Sequence, residues 1–233
     1  MPTARIKNAS GFLLIDLNFF NLALRSKGTI VTGAKPPGNT ASIGEITLPH
    51  DQSVLAFAPS APACLFSSTY GQGTVTHRFL ASNANTTIEY FSFDLPEYPA
   101  VNPNHAKLIL RNPNTGRKIF DSRIPYLRVV EVVNFDAFDT SFPMPKNFNY
   151  PGKKLAVVQS KRAYDVRSEI IPGNPAIVVS DSGSSMAMAS GPNASIYKMN
   201  GYSAFTAEVN PNLVYPNTTS TAGCYLLIDV TNF

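Results

Sequence analysis

The stretch that decides the fold class is residues 4–16, ARIKNASGFLLID, near the start of the chain. Its first four residues alternate between apolar and charged side chains, the next four are turn residues, and the last five are mostly apolar. Short runs of this kind on either side of an Asn-, Ser- and Gly-containing turn predict a β-hairpin. Residues 107–121, KLILRNPNTGRKIFD, repeat the arrangement with a turn at residues 112–116. The same predicted hairpin therefore occurs twice.

Further apolar and β-branched runs predict strands along most of the chain. They lie at residues 53–58, 74–80, 87–94, 126–133, 155–159, 176–180 and 223–230. Two segments, residues 17–25 and 163–170, fit either a strand or a helix, and both alternatives stay open. The 19 prolines are spread along the chain and leave little room for long helices. The prediction is an all-β protein with short hairpins and little helix.

Three groups of residues recur in the same order in the two halves of the chain, which predicts an internal duplication. The paired segments are residues 8–24 with 112–129, 49–60 with 151–160, and 90–95 with 225–230. A proline-rich stretch, residues 95–103, separates the two sets and resists both helix and strand. We therefore predict two β-sandwich-like domains, an N-terminal one at residues 1–99 and a C-terminal one at residues 100–233.

Composition and charge exclude several classes of protein. Hydrophobic residues make up 44% of the 233 residues and charged residues only 15%, which is not typical of a disordered chain or a coiled coil. The net charge is +4, but the 19 Lys and Arg residues are scattered, so we expect no nucleic-acid partner. No apolar run approaches the roughly 18 residues of a membrane span, and the start of the chain does not resemble a signal peptide.

The two cysteines, Cys64 and Cys224, are far apart in sequence and show neither the spacing of a metal site nor a disulfide framework. We expect a protein made in a reducing cytoplasm, and whether the two thiols ever pair stays open. The three histidines are equally isolated, so spacing groups no set of ligands for a metal ion. We therefore predict no metal site and no cofactor.

The nearest approach to a catalytic motif is residues 179–185, VSDSGSS, because chymotrypsin-like proteases carry Asp-Ser-Gly around their nucleophile. Ser180 and Ser184 stand where the flanking glycines of that motif belong, which leaves the candidate nucleophile Ser182 without its usual context. None of the three histidines lies in the sequence context of a catalytic base. We therefore interpret the segment as a serine-rich loop between strands and predict no catalytic residue.

Residues 134–150 form an insert with an unusual composition, since aromatic residues are mixed with prolines and three asparagines. Large rings on a loop are costly unless something covers them, and aromatic anchors are typical of protein interfaces. The alternative is that the rings seal the end of their own sandwich. We predict that the insert contacts a neighbouring subunit through a set of five aromatic residues: Phe135, Phe138, Phe142, Phe148 and Tyr150. The four phenylalanine rings are then expected to be exposed in the isolated chain.

The motifs at the start, middle and end of the chain resemble those of siphophage tail-tip or minor tail proteins, which are virion structural proteins of tailed bacteriophages. That family commonly opens with Asn-Ala-Ser-Gly, a strand ending in Ile-Asp and Asn-Leu-x-Leu, which match residues 8–11, 15–16 and 21–24. It also tends to carry Phe-Asp-Ser-Arg before Tyr-Leu-Arg-Val-Val, as at residues 120–123 and 126–130, and a close similar to residues 226–231. The insert after Val133 departs from the pattern.

The resemblance implies a non-enzymatic structural component of a tail tip that contributes to tail assembly and host attachment. Its partners would be other tail-tip proteins, copies of itself in a ring or trimer around the tail axis, and a host-surface receptor. The protein would be assembled in the host bacterial cytoplasm and reside in the virion. The alternative is a receptor- or glycan-binding β-sandwich module, which exposed Tyr70, Tyr202 and Tyr215 beside Asn, Ser and Gly would favour.

Overall fold

The computed structural model describes residues 5–7, 13–16, 21–36, 39–50, 53–101, 108–136, 145–171, 177–206 and 218–233. The regular structure of these residues consists of strands, and none of them is helical. In chain order the strands are β1 (Arg5–Lys7), β2 (Leu13–Asp16), β3 (Ala23–Val31), β4 (Ser42–Leu48), β5 (Val54–Pro59), β6 (Ala63–Tyr70), β7 (Val75–Ala81), β8 (Thr87–Asp94), β9 (Ile109–Arg111), β10 (Lys118–Asp121), β11 (Val129–Asp136), β12 (Lys146–Asn149), β13 (Leu155–Lys161), β14 (Tyr164–Ile171), β15 (Ile177–Ser190), β16 (Asn193–Thr206), β17 (Thr218–Ser220) and β18 (Ala222–Asp229). The prediction of an all-β protein is confirmed.

Both predicted hairpins are present, as the antiparallel pairs β1–β2 and β9–β10. In the second, the side-chain Oδ1 of Asn112 accepts hydrogen bonds from the backbone amides of Asn114 (2.9 Å) and Thr115 (3.0 Å). Gly116 follows with a φ of +70°, a conformation that favours glycine. The turn residues therefore close the loop through the local hydrogen bonds that their side chains predict.

Two larger sheets contain most of the strands, and all their neighbouring strands are antiparallel. Sheet 1 has the order β3-β8-β5-β13-β18-β11, and sheet 2 has the path β12-β16-β15-β6-β7-β4. Sheet 2 also has an extension, in which β14 pairs with the first part of β15 and β17 pairs with β14. The two sheets pack face to face as a β-sandwich, as the rings of Phe57 in β5 and Phe79 in β7 show at a centroid distance of 5.3 Å.

Each sheet has a symmetric strand order. Counted inward from one edge, the three strands of the first half follow the same order as the three strands of the second half counted inward from the other edge. In sheet 1, β3, β8 and β5 correspond to β11, β18 and β13, and in sheet 2, β4, β7 and β6 correspond to β12, β16 and β15. The halves meet through β5–β13 and β6–β15, where Ala63 pairs with Ala187. The proposed equivalents Tyr90 and Tyr225 lie at matching positions, each four residues before the Asp that ends its strand. Common ancestry of the halves stays a prediction.

The boundary near residue 99 separates the two sets of strands along the chain but not in space. Each sheet takes three strands of its central path from either side of the boundary. One cluster of buried residues also spans both halves, with Phe57 and Phe93 from the first and Val157 and Leu227 from the second. In the described residues, the segments predicted as two domains are thus halves of one sandwich, because β5 of the first half pairs with β13 of the second and β6 pairs with β15.

The regular structure of the two segments that fitted either a strand or a helix is strand, in β3 from Ala23 and in β14 from Tyr164. The prediction of a serine-rich loop is wrong. Residues 179–185 lie inside the long strand β15, which pairs with β14 on one side and with β16 on the other for part of this stretch. The Gly-Gln-Gly segment at residues 71–73 lies in the turn between β6 and β7, where Gly73 has a φ of +71°.

Candidate assembly edge

Phe135, predicted to contact a partner, belongs to the protein's own core. It lies in β11 with only 8% of its surface exposed, and its ring stacks on Tyr225 at a centroid distance of 6.2 Å. The space for the ring comes from Gly223 in β18, where an added Cβ would lie 2.2 Å from the Phe135 ring. The expected exposure of Phe135 is therefore wrong, because the ring fills a site that a glycine opens.

Phe148 and Tyr150 lie on the other sheet, in and just after β12. Phe148 is 9% exposed and packs in the core, with the Nζ atom of Lys146 5.3 Å from its ring centroid. The hydroxyl of half-buried Tyr150 donates a hydrogen bond to Glu131 of β11, and this bond raises the pKa of Tyr150 above its ordinary value. Phe148 thus packs β12 against the core, and Tyr150 links the end of β12 to β11. The expected exposure of Phe148 is therefore also wrong.

The remaining two predicted interface residues, Phe138 and Phe142, lie outside the described residues. Their contact with a neighbouring subunit stays a prediction. The described flanks of the insert are the end of β11 and the start of β12. These strands are the edge strands of sheets 1 and 2, so the insert connects the two edges on one side of the sandwich.

The edge strands of sheet 1, β3 and β11, share one backbone irregularity at corresponding positions. In β3 the register against β8 shifts between Leu24 and Ser26, and in β11 the register against β18 shifts between Val129 and Glu131. A bulge of this kind adds one residue to a strand and increases its local twist. Arg25 and Val130 are thus corresponding bulge residues, and Lys27 corresponds to Val132.

The two edges differ sharply in the chemistry of these corresponding residues. On β3, Arg25 binds Asp94 at 2.5 Å, and the Nζ of Lys27 donates to the backbone oxygen of Phe233 at 2.7 Å. A charged side chain, especially Lys, discourages the pairing of an edge strand with another chain. The corresponding positions on β11 carry valines, and Val132 is 53% exposed.

We call β11, with exposed Val129 and Val132, the assembly edge. β11 pairs with β18 on one side, and no described strand pairs with its other side. An edge that combines free backbone groups with exposed apolar side chains is a template for a further strand or a neighbouring subunit.

A second exposed set lies on β6, near its turn into β7. Tyr70 is 67% exposed and Phe66 is 41% exposed, and the guanidinium carbon of Arg162 lies 4.7 Å from the Phe66 ring centroid. Exposed rings of this kind can stack on the apolar face of a sugar or against another protein. Of the three tyrosines predicted to be exposed, only Tyr70 has an exposure that the structure describes. Tyr202 lies in β16, and Tyr215 lies outside the described residues.

Two histidines that sequence spacing left unassigned each meet a serine. The Nε2 of His50 lies 2.6 Å from Ser92 Oγ, and the Nδ1 of His77 lies 2.8 Å from Ser68 Oγ. His77 is buried, and burial together with the charge of nearby His50 lowers its pKa below the ordinary value. No described carboxylate completes a catalytic triad on His77, because its Nε2 has no hydrogen-bond partner.

Of the two cysteine thiols, Cys64 is enclosed by the fold and Cys224 is half-buried. Cys64 is buried beside Ser184, whose Oγ lies 3.5 Å from its Sγ, and burial raises the pKa of the Cys64 thiol. Both Cys64 and Cys224 are free thiols. No group of three His, Cys, Asp or Glu residues that could hold a metal ion occurs in the described part of the chain.

Sequence reasoning found β11 as a strand but missed its role as an edge. Residues 129–133, VVEVV, are apolar on both faces, which is typical of a strand covered on both sides as well as of one left open.

Among the described residues there is no helix of the length and hydrophobicity that a membrane span needs. Comparison with models of protein families, with curated proteins and with solved structures found no match.

Proposed function

We propose that this chain is a non-enzymatic structural component of a siphophage tail tip, which contributes to tail assembly and host attachment. The assembly edge carries the proposal, because Val129 and Val132 lie exposed on a strand that no described strand covers on its free side. The resemblance of the chain's motifs to tail-tip proteins supports the same function. Its partners would be other tail-tip proteins and copies of itself around the tail axis, in a virion assembled in the host cytoplasm.

Two exposed valines on opposite edges of sheet 1 provide a matched test. Val132→Lys places a charge on the assembly edge, whereas Val31→Lys places the same charge on β3, where Val31 is 59% exposed. Both substitutions are at exposed sites, so we expect each to change the free energy of unfolding by less than about 0.5 kcal/mol. A lysine on an edge strand opposes pairing with another chain. Val132→Lys should therefore impair assembly, and Val31→Lys should not.

The measurement is complementation of a siphophage that lacks this gene, followed by mass spectrometry of purified virions. We expect the unsubstituted chain and Val31→Lys in the tail, and Val132→Lys in reduced amount or absent. Absence of the unsubstituted chain from virions would exclude the structural role. Equal incorporation of both variants would keep the virion location but exclude β11 as the contact.

The exposed rings of β6 favour a second candidate, a receptor- or glycan-binding module. Tyr70 and Phe66 are both exposed on this strand, and Arg162 lies over the Phe66 ring. Exposed rings can stack on a sugar, and a guanidinium can donate hydrogen bonds to it. In that case the purified protein would adsorb to host cells or to their surface polysaccharide, and Tyr70→Ala would weaken the adsorption. A structural component without receptor contact would not adsorb in isolation.

A further inference from the structure

The assembly edge carries charges of opposite sign at its two ends. Arg128 lies immediately before the first residue of β11, and Asp136 is the last residue of the strand. Both residues are exposed. Val132, which is 53% exposed, lies midway between them, four residues from each. The edge thus reads as a positive charge, an exposed valine and a negative charge along its length.

Two copies of such an edge are complementary only in the antiparallel orientation. A two-fold axis at Val132 places the start of each strand beside the end of the other, so Arg128 of each copy lies opposite Asp136 of the second copy. The bulge at Val130 offsets this end by one residue, about 3.4 Å, which the long arginine side chain can span. A parallel pair would instead set like charges side by side, which destabilises a sheet.

Apolar side chains on one face of sheet 1 support the same pairing. Val132 pairs with Leu226 of β18, and Leu226 pairs with Val158 of β13, so the three side chains form a row across the sheet. Val158 is 7% exposed, Leu226 is half-buried and Val132 is exposed, so the row loses its cover toward the assembly edge. With the axis at Val132, the rows of two copies would join and cover each other's last valine.

The other edge of sheet 1, β3, fits β11 less well, because the chain itself already occupies part of its free side. The Leu24 amide donates to the backbone oxygen of Pro125 at 2.8 Å, and Ala23 forms a bridge with Tyr126. Further along β3, Lys27 opposes pairing with another strand. Among the described residues, no strand pairs with β11 on its corresponding side. A second copy of β11 is therefore the best match for the assembly edge.

We propose that the assembly edge binds the assembly edge of a second copy of this chain, so that the two β11 strands pair antiparallel about a two-fold axis at Val132. Sheet 1 then continues from one copy into the other. The contact uses the same surface on both copies and closes with two of them, so it forms a dimer, and a ring around an axis needs a further contact. The inference rests on the proposed assembly function and names the chain itself as the partner of this edge.

Analytical ultracentrifugation of the purified full chain tests the dimer. We expect a species of twice the 25.2 kDa of one chain. Val132→Lys should weaken dimerisation at least about 10-fold, because it places two lysines side by side at the axis. Val31→Lys on β3 should leave dimerisation unchanged. A chain that stays monomeric at about 500 µM, far above the dissociation constant of even a weak specific contact, would overturn the proposal.

Charge reversals test the antiparallel orientation. Arg128→Glu places a carboxylate opposite Asp136 of the second copy, and Asp136→Arg places a guanidinium opposite Arg128. Each variant alone should therefore dimerise at least about 10-fold more weakly than the unsubstituted chain. A mixture of the two variants should form a heterodimer, because both cross-strand pairs then have opposite charges. Absence of the heterodimer from the mixture would overturn the proposed pairing.

Arg78→Glu is the matched control for these reversals. The side chain of Arg78 is 49% exposed and that of Arg128 is 48% exposed, and each is ion-paired within the chain. Arg78 lies in β7 of sheet 2, away from the assembly edge. Its reversal should leave dimerisation unchanged, and an equal loss with Arg78→Glu and Arg128→Glu would contradict a specific contact at β11.

Substituted cysteines locate the axis. Val132→Cys should give a disulfide-linked dimer on mild oxidation, because residue 132 meets its own copy there. Asn134→Cys should not, because its two copies would be more than about 10 Å apart along the paired strands. Both are made with Cys224→Ser, since Cys224 is half-buried whereas Cys64 is buried. Equal cross-linking at both positions would overturn the axis at Val132.

The outcomes separate the dimer from the tail function. An unsubstituted chain that stays monomeric but enters virions would overturn the dimer and leave the tail function intact. A dimer in solution whose chain is absent from purified virions would support the pairing and exclude the tail function. Circular dichroism melts verify that each variant folds. If Arg128→Glu fails to fold after losing its contact with Asp229, the cysteine pair still decides.

Discussion

The amide of Leu127 donates a hydrogen bond to the backbone oxygen of Leu22, 105 residues earlier in the chain, at 2.8 Å. In the predicted duplication, Leu22 and Leu127 are the first residues of the equivalent triplets 22–24 and 127–129, and the structure places them in contact. Leu24 bonds to Pro125 beside them, also at 2.8 Å. Contact between equivalent residues is what an approximate two-fold relation between the halves requires at its axis. Both leucines also line a groove between the two sheets.

The first prediction tests whether Phe135 belongs to the core. Phe135→Ala removes a buried ring that stacks on Tyr225, so we expect a loss of about 3 to 5 kcal/mol in the free energy of unfolding. Val132→Ser, three residues earlier on the same strand but exposed, should cost less than about 0.5 kcal/mol. Urea denaturation of the two purified variants measures both values. Equal stability of the two would show that Phe135 does not pack in the core.

The second prediction concerns the close approach of Gly223 to Phe135. Gly223→Ala would place a Cβ 2.2 Å from the ring, and the resulting overpacking should cost about 1 to 3 kcal/mol. Gly33→Ala is the control, because an added Cβ there meets nothing nearer than 3.8 Å. Combining Gly223→Ala with Phe135→Leu should cost less than the sum of the single changes, since the two sites are coupled. Strict additivity would contradict the contact.

The third prediction concerns Asp121, which is fully buried beside Arg123. Two guanidinium nitrogens of Arg123 lie 2.8 and 2.7 Å from the two carboxylate oxygens. Hydrogen bonding by Arg123 holds the pKa of Asp121 at about 2, below the ordinary 3.8. Asp121→Asn replaces one of the two carboxylate oxygens that accept hydrogen bonds from Arg123 and removes the negative charge. We expect the free energy of unfolding to fall by about 1 to 3 kcal/mol at pH 7, because one guanidinium donor is left without its acceptor.

The pH dependence of that difference follows from the sign of the shift. A depressed carboxyl pKa stabilises the folded state above about 3.8, and this contribution is lost as pH falls toward 2. Wild type and Asp121→Asn should therefore converge in urea midpoint between pH 4 and about pH 2. A difference that stays constant over this interval would contradict the ionised pair.

The fourth prediction concerns His77, whose pKa is lowered by burial and by the charge of His50. The folded protein keeps this imidazole neutral, whereas the unfolded chain takes up a proton as pH falls below the ordinary value of 6.5. The stability that neutral His77 contributes is therefore present above pH 6.5 and lost as pH falls toward its folded pKa. His77→Gln, which keeps a hydrogen-bonding group near Ser68, should lose less stability than wild type between pH 7.5 and 5. Identical urea midpoints at every pH would contradict the shift.

The local elements of this fold were predictable from the sequence because they depend on neighbouring residues. The turn at Asn112 uses hydrogen bonds within three residues, and strand β8 occupies exactly the predicted residues 87–94. The long strands β15 and β16 were largely missed, because serine, asparagine and alanine lack the β-branched alternation that marks a strand. The strand order of both sheets is symmetric between the two halves, and the internal duplication itself stays a prediction.

What the sequence determined by itself is the all-β class and the two hairpins, since alternation and turn residues act over a few positions. Only the tertiary structure decided that both halves share their sheets, through pairs such as Phe57 with Val157. It also decided that Phe135 is buried and Val132 exposed, and that Ser53 and His77 line one groove. These outcomes depend on contacts between residues about 20 to 100 positions apart, and a pattern of adjacent side chains carries no information about which distant strand will cover them.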